Sequence, residues 1–110
     1  MKNILDQLGL DAVNPGTYSA ISGWSEDTSG GVLESESPAS GEVIASVRSA
    51  TDADYERVIT EARTVFEQWR SIPAPRRGEA VRLAGDALRK YKDPLGSLVS
   101  LEMGKIKAEG

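Results

Sequence analysis

Glu102-Met103-Gly104-Lys105 has residue types that could hold a phosphate, since a lysine stands beside a glycine. Its position argues otherwise. A phosphate loop needs a glycine-rich turn that opens a helix, and this lysine follows one. A glycine C-cap with a cation at the negative helix end is the plainer reading. Arg76-Arg77, with Arg82 and Arg89 further along the same stretch, could gather around an anion. Glu79 and Asp86 interleave with them, which is the pattern of a solvated helix face. Glu34 and Glu36 lie two apart on a presumed strand and so point the same way, as paired carboxylates do in acid–base or metal chemistry. No histidine or third acid stands near to complete a site, and charge on an exposed edge strand accounts for them. Phe66 and Trp69 fall on a helical apolar stripe and read as core residues before they read as a ligand platform.

The chain has no cysteine and no histidine, which excludes thiol catalysis, disulfides, thiolate metal sites and imidazole acid–base chemistry within these residues. No catalytic, cofactor-binding or metal-binding residue is therefore assigned. Thirteen lysines and arginines against 17 aspartates and glutamates give a net charge of −4, so neither nucleic acid nor an anionic membrane is an expected partner. The start of the chain has no apolar run of the kind a leader carries, and no run approaches the length of a membrane span. A cytoplasmic protein is expected.

The elements that must carry these residues divide at the middle of the chain. Residues 1–50 hold nine of the twelve serines and six of the eleven glycines and read as short strands and turns; residues 51–110 read as helices. Residues 4–10 suit a helical turn ended by Gly9, and Asn14-Pro15-Gly16 marks a turn. Residues 18–24 read as one strand with Tyr18, Ala20, Ser22 and Trp24 on a face, followed by a polar loop over 26–31. Strands over 32–37 and 42–49 flank the turn Pro38-Ala39-Ser40-Gly41 and form an antiparallel hairpin. On the second of these strands Val43, Ala45 and Val47 alternate with Glu42, Ile44 and Ser46.

Thr51 with Asp54 is a near capping box opening a long helix. Val58, Ala62, Val65 and Trp69 recur along it at helical spacing, Tyr55, Ile59 and Phe66 widen the stripe, and Arg57, Glu61, Arg63, Glu67 and Arg70 are left outside. Pro73 ends it. A second helix starts near Pro75 with Val81, Ala84, Leu88 and Tyr91 as its stripe, and a third opens at Asp93-Pro94 and is capped by Gly104. Residues 106–110 read as the start of a further element. The short linker between the first two helices predicts an antiparallel pair burying their stripes together.

The fold class is thus α+β, a hairpin and short strands followed by three amphipathic helices, with several apolar faces left without a partner. The run over 37–105 resembles the N-terminal part of the NAD(P)-dependent aldehyde dehydrogenase superfamily. The matching residues are the hairpin Ser37-Pro38-Ala39-Ser40-Gly41-Glu42-Val43-Ile44, the helix segment Ala62-Arg63-Thr64-Val65-Phe66-Glu67-Gln68-Trp69, then Pro73, Arg76 or Arg77, Leu83, and Leu101-Glu102-Met103-Gly104-Lys105 where the family carries Glu-x-Gly-Lys. Leu8-Gly9-Leu10, Asn14-Pro15-Gly16, Ser35-Glu36-Ser37-Pro38 and Ser100-Leu101-Glu102-Met103-Gly104-Lys105 are similar to the antiquitin-type branch, which oxidises alpha-aminoadipic semialdehyde in lysine breakdown.

The resemblance implies an α/β parent fold in which residues 1–110 are the N-terminal part of the cofactor domain, an outer layer over a parallel sheet. It implies NAD as cofactor, an aldehyde substrate, homotetrameric assembly, and a cysteine nucleophile, a glutamate-activated water and an oxyanion-holding asparagine that all belong to other parts of a family protein. These 110 residues are expected to be inactive alone and marginally stable, with an exposed apolar patch. A free-standing α+β binding module and a truncated relative that caps or regulates a full-length enzyme are the alternatives.

Overall fold

A computed structural model describes residues 2–110. The chain opens with α1 (Lys2–Gln7), closed by Gly9 at a φ of 67°. Three two-residue strands follow, β1 (Val13–Asn14), β2 (Tyr18–Ser19) and β3 (Gly23–Trp24). After them come β4 (Val32–Glu36) and β5 (Val43–Arg48), then α2 (Asp52–Trp69), α3 (Ala74–Lys90), α4 (Lys92–Met103) and a 3₁₀ turn over Lys107–Glu109. The α+β class holds; all the strands lie before residue 50 and α2, α3 and α4 after it.

The β4–β5 hairpin forms in the expected antiparallel register, with Leu33 opposite Val47 and Glu34 opposite Ser46. Gly41 takes a φ of 74° and its amide donates to the Ser37 carbonyl at 2.7 Å, closing the turn. The strand alternates in burial: Ile44 and Ser46 are buried, while Val43 and Val47 lie open. The sheet gains a third strand where a turn was expected. Asn14 pairs in β1, parallel to β5, with Val13 opposite Ser46. Its amide donates to the Asp11 carbonyl at 2.8 Å and to the Ser46 carbonyl at 3.3 Å, so the side chain that signals a turn here staples a strand.

Residues 18–24 are not one strand. They fold back as the β2–β3 hairpin, Gly23 at a φ of 77° letting the chain reverse through Ser22. Tyr18 and Trp24 share a face as expected, but as a cross-strand pair, ring centroids 5.0 Å apart and planes at 65°.

The capping box of α2 is complete: the Asp54 amide donates to Thr51 Oγ1 at 3.1 Å, and the Thr51 amide to Asp54 Oδ2 at 3.2 Å. α3 begins behind Pro73 as read. α4 opens two residues earlier than Asp93-Pro94 implies, because Pro94 lies in the first turn, where a missing N–H costs nothing. Gly104 caps α4 at a φ of 70°.

α2 and α3 do not bury their stripes against each other. Phe66 is 46% and Leu88 63% exposed; α2 leans on β2, and α3 only lightly on α4. Pro73 is extended (φ −56°, ψ 143°) and redirects the chain between the helices, so the short linker does not bring them face to face. Among the described residues Ile44 is the one buried hydrophobic side chain. No helix of the described residues is long and apolar enough to cross a membrane.

Candidate functional site

The residues that carry the fold's polar organisation form a seam between α2 and the segment before β4. Asp54, Arg57 and Glu61 stand at helical spacing along one side of α2, and Ser25, Ser22 and Ser19 meet them in reverse order. Ser25 Oγ donates to Asp54 Oδ1 at 2.5 Å. Arg57 Nη1 donates to Ser22 Oγ at 2.9 Å. Glu61 Oε2 accepts from Ser22 Oγ at 2.8 Å and from Ser19 Oγ. Asp27 extends the seam, accepting from Thr51 Oγ1 at 2.9 Å and from the Ser29 hydroxyl at 2.6 Å.

Donated hydrogen bonds stabilise the charged carboxylates. The Ser25 hydroxyl first, then the Thr51 amide, hold Asp54 below its ordinary value of 3.8. The Ser29 hydroxyl leads the same effect on Asp27. Ser19 and Ser22 do so for Glu61, against an ordinary value of 4.5. Sequence reasoning left Arg57 and Glu61 in solvent and treated Asp54 only as a cap, yet Asp54 is 5% exposed. The available signal was the three-residue recurrence of Ser19, Ser22 and Ser25 facing charges at three and four.

The sequence-level candidates separate. Gly104 caps α4, its amide donating to the Ser100 carbonyl at 2.9 Å, and Glu102 accepts from Ser35 Oγ at 2.5 Å. A side chain at Gly104 would meet Pro38 at 3.1 Å, so this motif docks α4 on the β4–β5 turn. Arg82 is held by Glu79 at 2.6 Å and Asp86 at 2.7 Å, and Arg89 by Asp86 at 3.0 Å. Arg82 and Arg89 are thus paired with acids of their own helix, while Arg76 is exposed and Arg77 is half-buried with its Nε unpartnered. Glu34 and Glu36 are exposed on β4, with a register shift at Ser35/Glu36 between them. Among the described residues no three potential metal ligands come together. Phe66 and Trp69 lie at the surface and not in a core, in a groove shared with Tyr18 and Ala20; the Arg63 and Arg70 guanidinium groups sit 5.6 and 5.9 Å from the Phe66 ring centre.

A dinucleotide does not fit the one strand-to-helix passage present. The turn from β5 into α2 has no glycine, and Asp52 and Asp54 occupy the helix's first turn, where a pyrophosphate would meet like charge. What the arrangement offers is docking surface. The described residues expose 8042 Å², against about 5,900 Å² for a compact monomer of this mass.

The model of the aldehyde dehydrogenase family matches residues 24–110. The aldehyde dehydrogenase family 7 member A1 of Pisum sativum is 49% identical over 107 residues, which are 96% of this chain and 20% of that protein. The alpha-aminoadipic semialdehyde dehydrogenase of Bos taurus is 49% identical over 106 residues, 96% of this chain and 19% of the bovine protein. An aldehyde dehydrogenase family 7 member B4 of Arabidopsis thaliana is 42% identical over 106 residues. The chain spans about a fifth of the length of these curated relatives.

Proposed function

Because the chain belongs to the aldehyde dehydrogenase family, we propose that it forms the amino-terminal layer of the cofactor domain in an enzyme that oxidises an aldehyde to the carboxylate. The carrying observation is the surface it leaves open. The excess over a compact monomer is about 2,100 Å², the scale of an obligate interface. A free-standing module would bury its helix stripes; this chain leaves Phe66, Val81 and Leu88 open.

In this reading the substrate is alpha-aminoadipic semialdehyde, supported by the bovine and Rattus norvegicus relatives that carry that name, and the working state is a cytoplasmic homotetramer serving lysine breakdown. The oxidant is a nicotinamide dinucleotide, NAD, bound by other parts of the enzyme, since the β5–α2 turn lacks a glycine and opens on Asp52 and Asp54. With no cysteine, these residues supply scaffold and no nucleophile.

A chimera tests this. Residues 1–110 replace the matched 106 residues of the bovine enzyme, and NADH formation is followed with alpha-aminoadipic semialdehyde. Activity within tenfold of the parent is expected, while the 110-residue chain alone forms no NADH. A soluble, folded but inert chimera would overturn the proposal.

A further inference from the structure

The β2–β3 hairpin is too small to hold itself. It has two residue pairs, and a hairpin of any length is marginal in water without a surface to lean on. Its apolar hold on α2 is thin, for Tyr18, Ile21 and Trp24 are 56%, 56% and 60% exposed. Its polar hold centres on Glu61, with Arg57 Nη1 donating to Ser22 Oγ at 2.9 Å as a second contact from α2. Ser19, only 6% exposed, donates to Glu61 while its oxygen accepts from the Ile21 amide at 3.2 Å, so the same hydroxyl fixes the turn and ties it down. Ser22 donates to the same carboxylate oxygen. Below this point the segment is secured differently, through Ser25 to the buried Asp54 of the capping box. An apolar groove lies between the hairpin and α2, walled by Tyr18 and Ala20 on one side and Val58, Ala62 and Val65 on the other.

We propose that β2–β3 is a strap latched across α2 by the Glu61 carboxylate, with the Ser25–Asp54 contact as its hinge, and that loss of this latch opens the groove. Charge-assisted hydrogen bonds are roughly twice as strong as neutral ones, so removing the carboxylate's charge weakens both serine contacts at once. Arg57, on the same helix, is the charged group facing Glu61; the strap brings only the Tyr18 phenol, and Asp27 and Glu26 belong to the hinge side. With the strap away, the half-buried Val58 and Val65 join the already exposed Ala62, Phe66 and Trp69 in one continuous open apolar face. The device depends on this chain's own contacts and not on the family assignment.

Amide hydrogen exchange of the 110-residue chain, read by mass spectrometry over peptides covering 17–25, 32–48 and 57–69, tests it. Three variants are compared with the parent: Glu61→Ala, Glu61→Gln, and the strap-side double substitution Ser19→Ala with Ser22→Ala. Strap amides are expected to exchange about tenfold faster in Glu61→Ala and in the double variant, and by an intermediate factor in Glu61→Gln, which keeps an acceptor without charge. The 32–48 hairpin is expected to be unchanged in all three. Unaltered strap exchange in both Glu61→Ala and the double variant would overturn the proposal, because apolar contacts would then suffice. An equal rise over all three regions in both would overturn it too, since Glu61 would be holding the whole fold and not a strap.

Discussion

Thr51 is where one side chain does most for its element. Its hydroxyl accepts the Asp54 amide and donates to Asp27, joining the start of α2 to the preceding loop. Thr51→Ala is expected to cost about 1 kcal/mol, the usual worth of an N-cap, measured as a shift in the urea midpoint of the helical signal. Asp27, Asp54 and Glu61 all have folded-state pKa values below their ordinary ones. Their contribution is complete above the ordinary values of 3.8 and 4.5 and is lost as pH falls through the depressed folded values. Helical circular dichroism and tryptophan emission should stay flat from pH 7 to about 5 and fall below that; a loss on going from acid to neutral pH would contradict the assignment. The cap was legible in the sequence because Thr51 and Asp54 are three residues apart and act locally. The serine contacts were not, because Ser19 and Glu61 are brought together only by the reversal at Gly23, which a reading of 18–24 as a single strand does not contain.

At the scale of elements, the long helices and the β4–β5 hairpin were legible for a common reason: periodicity, proline and positive-φ glycine all act within a few residues. What failed was the expected meeting of the helix faces. Ile44 is buried while Val43 and Val47 lie open, a choice the alternation alone does not make, and the α2 and α3 stripes do not meet, because burial is decided by partners distant in sequence. The Glu102–Gly104 docking is one such distant contact, and it can be measured. Gly104→Ala suffers both the φ of 70° and the Pro38 ring at 3.1 Å, whereas Gly41→Ala suffers the φ of 74° with open space around it. Gly41→Ala is expected to cost about 1 kcal/mol and Gly104→Ala more. Equal denaturation midpoints for the two would show that the Pro38 contact carries no energy.

For the whole molecule, a radius of gyration of 16.9 Å exceeds the roughly 13 Å of a compact chain of this length, and the extents of 49 × 35 × 19 Å describe a slab. Such a shape, with Ile44 the one buried hydrophobic among the described residues, is expected to melt over a broad range and to bind a hydrophobic dye. A sharp calorimetric transition with no dye binding would mean that the open stripes are closed in solution. The absence of a catalytic thiol was readable from composition, but the slab was not, since nothing in a stripe of apolar residues says whether its cover lies in the same chain. The parallel pairing of β1 with β5 carries a kinetic consequence. Glu36 and Val43 close their turn over a handful of residues, whereas Val13 must wait for Ser46 to be synthesised and delivered. Loop-closure entropy makes the first event early and the second late. On the ribosome the amino-terminal strand is thus the last to join its own sheet, and until then β5 presents an open edge to whatever chain is emerging nearby.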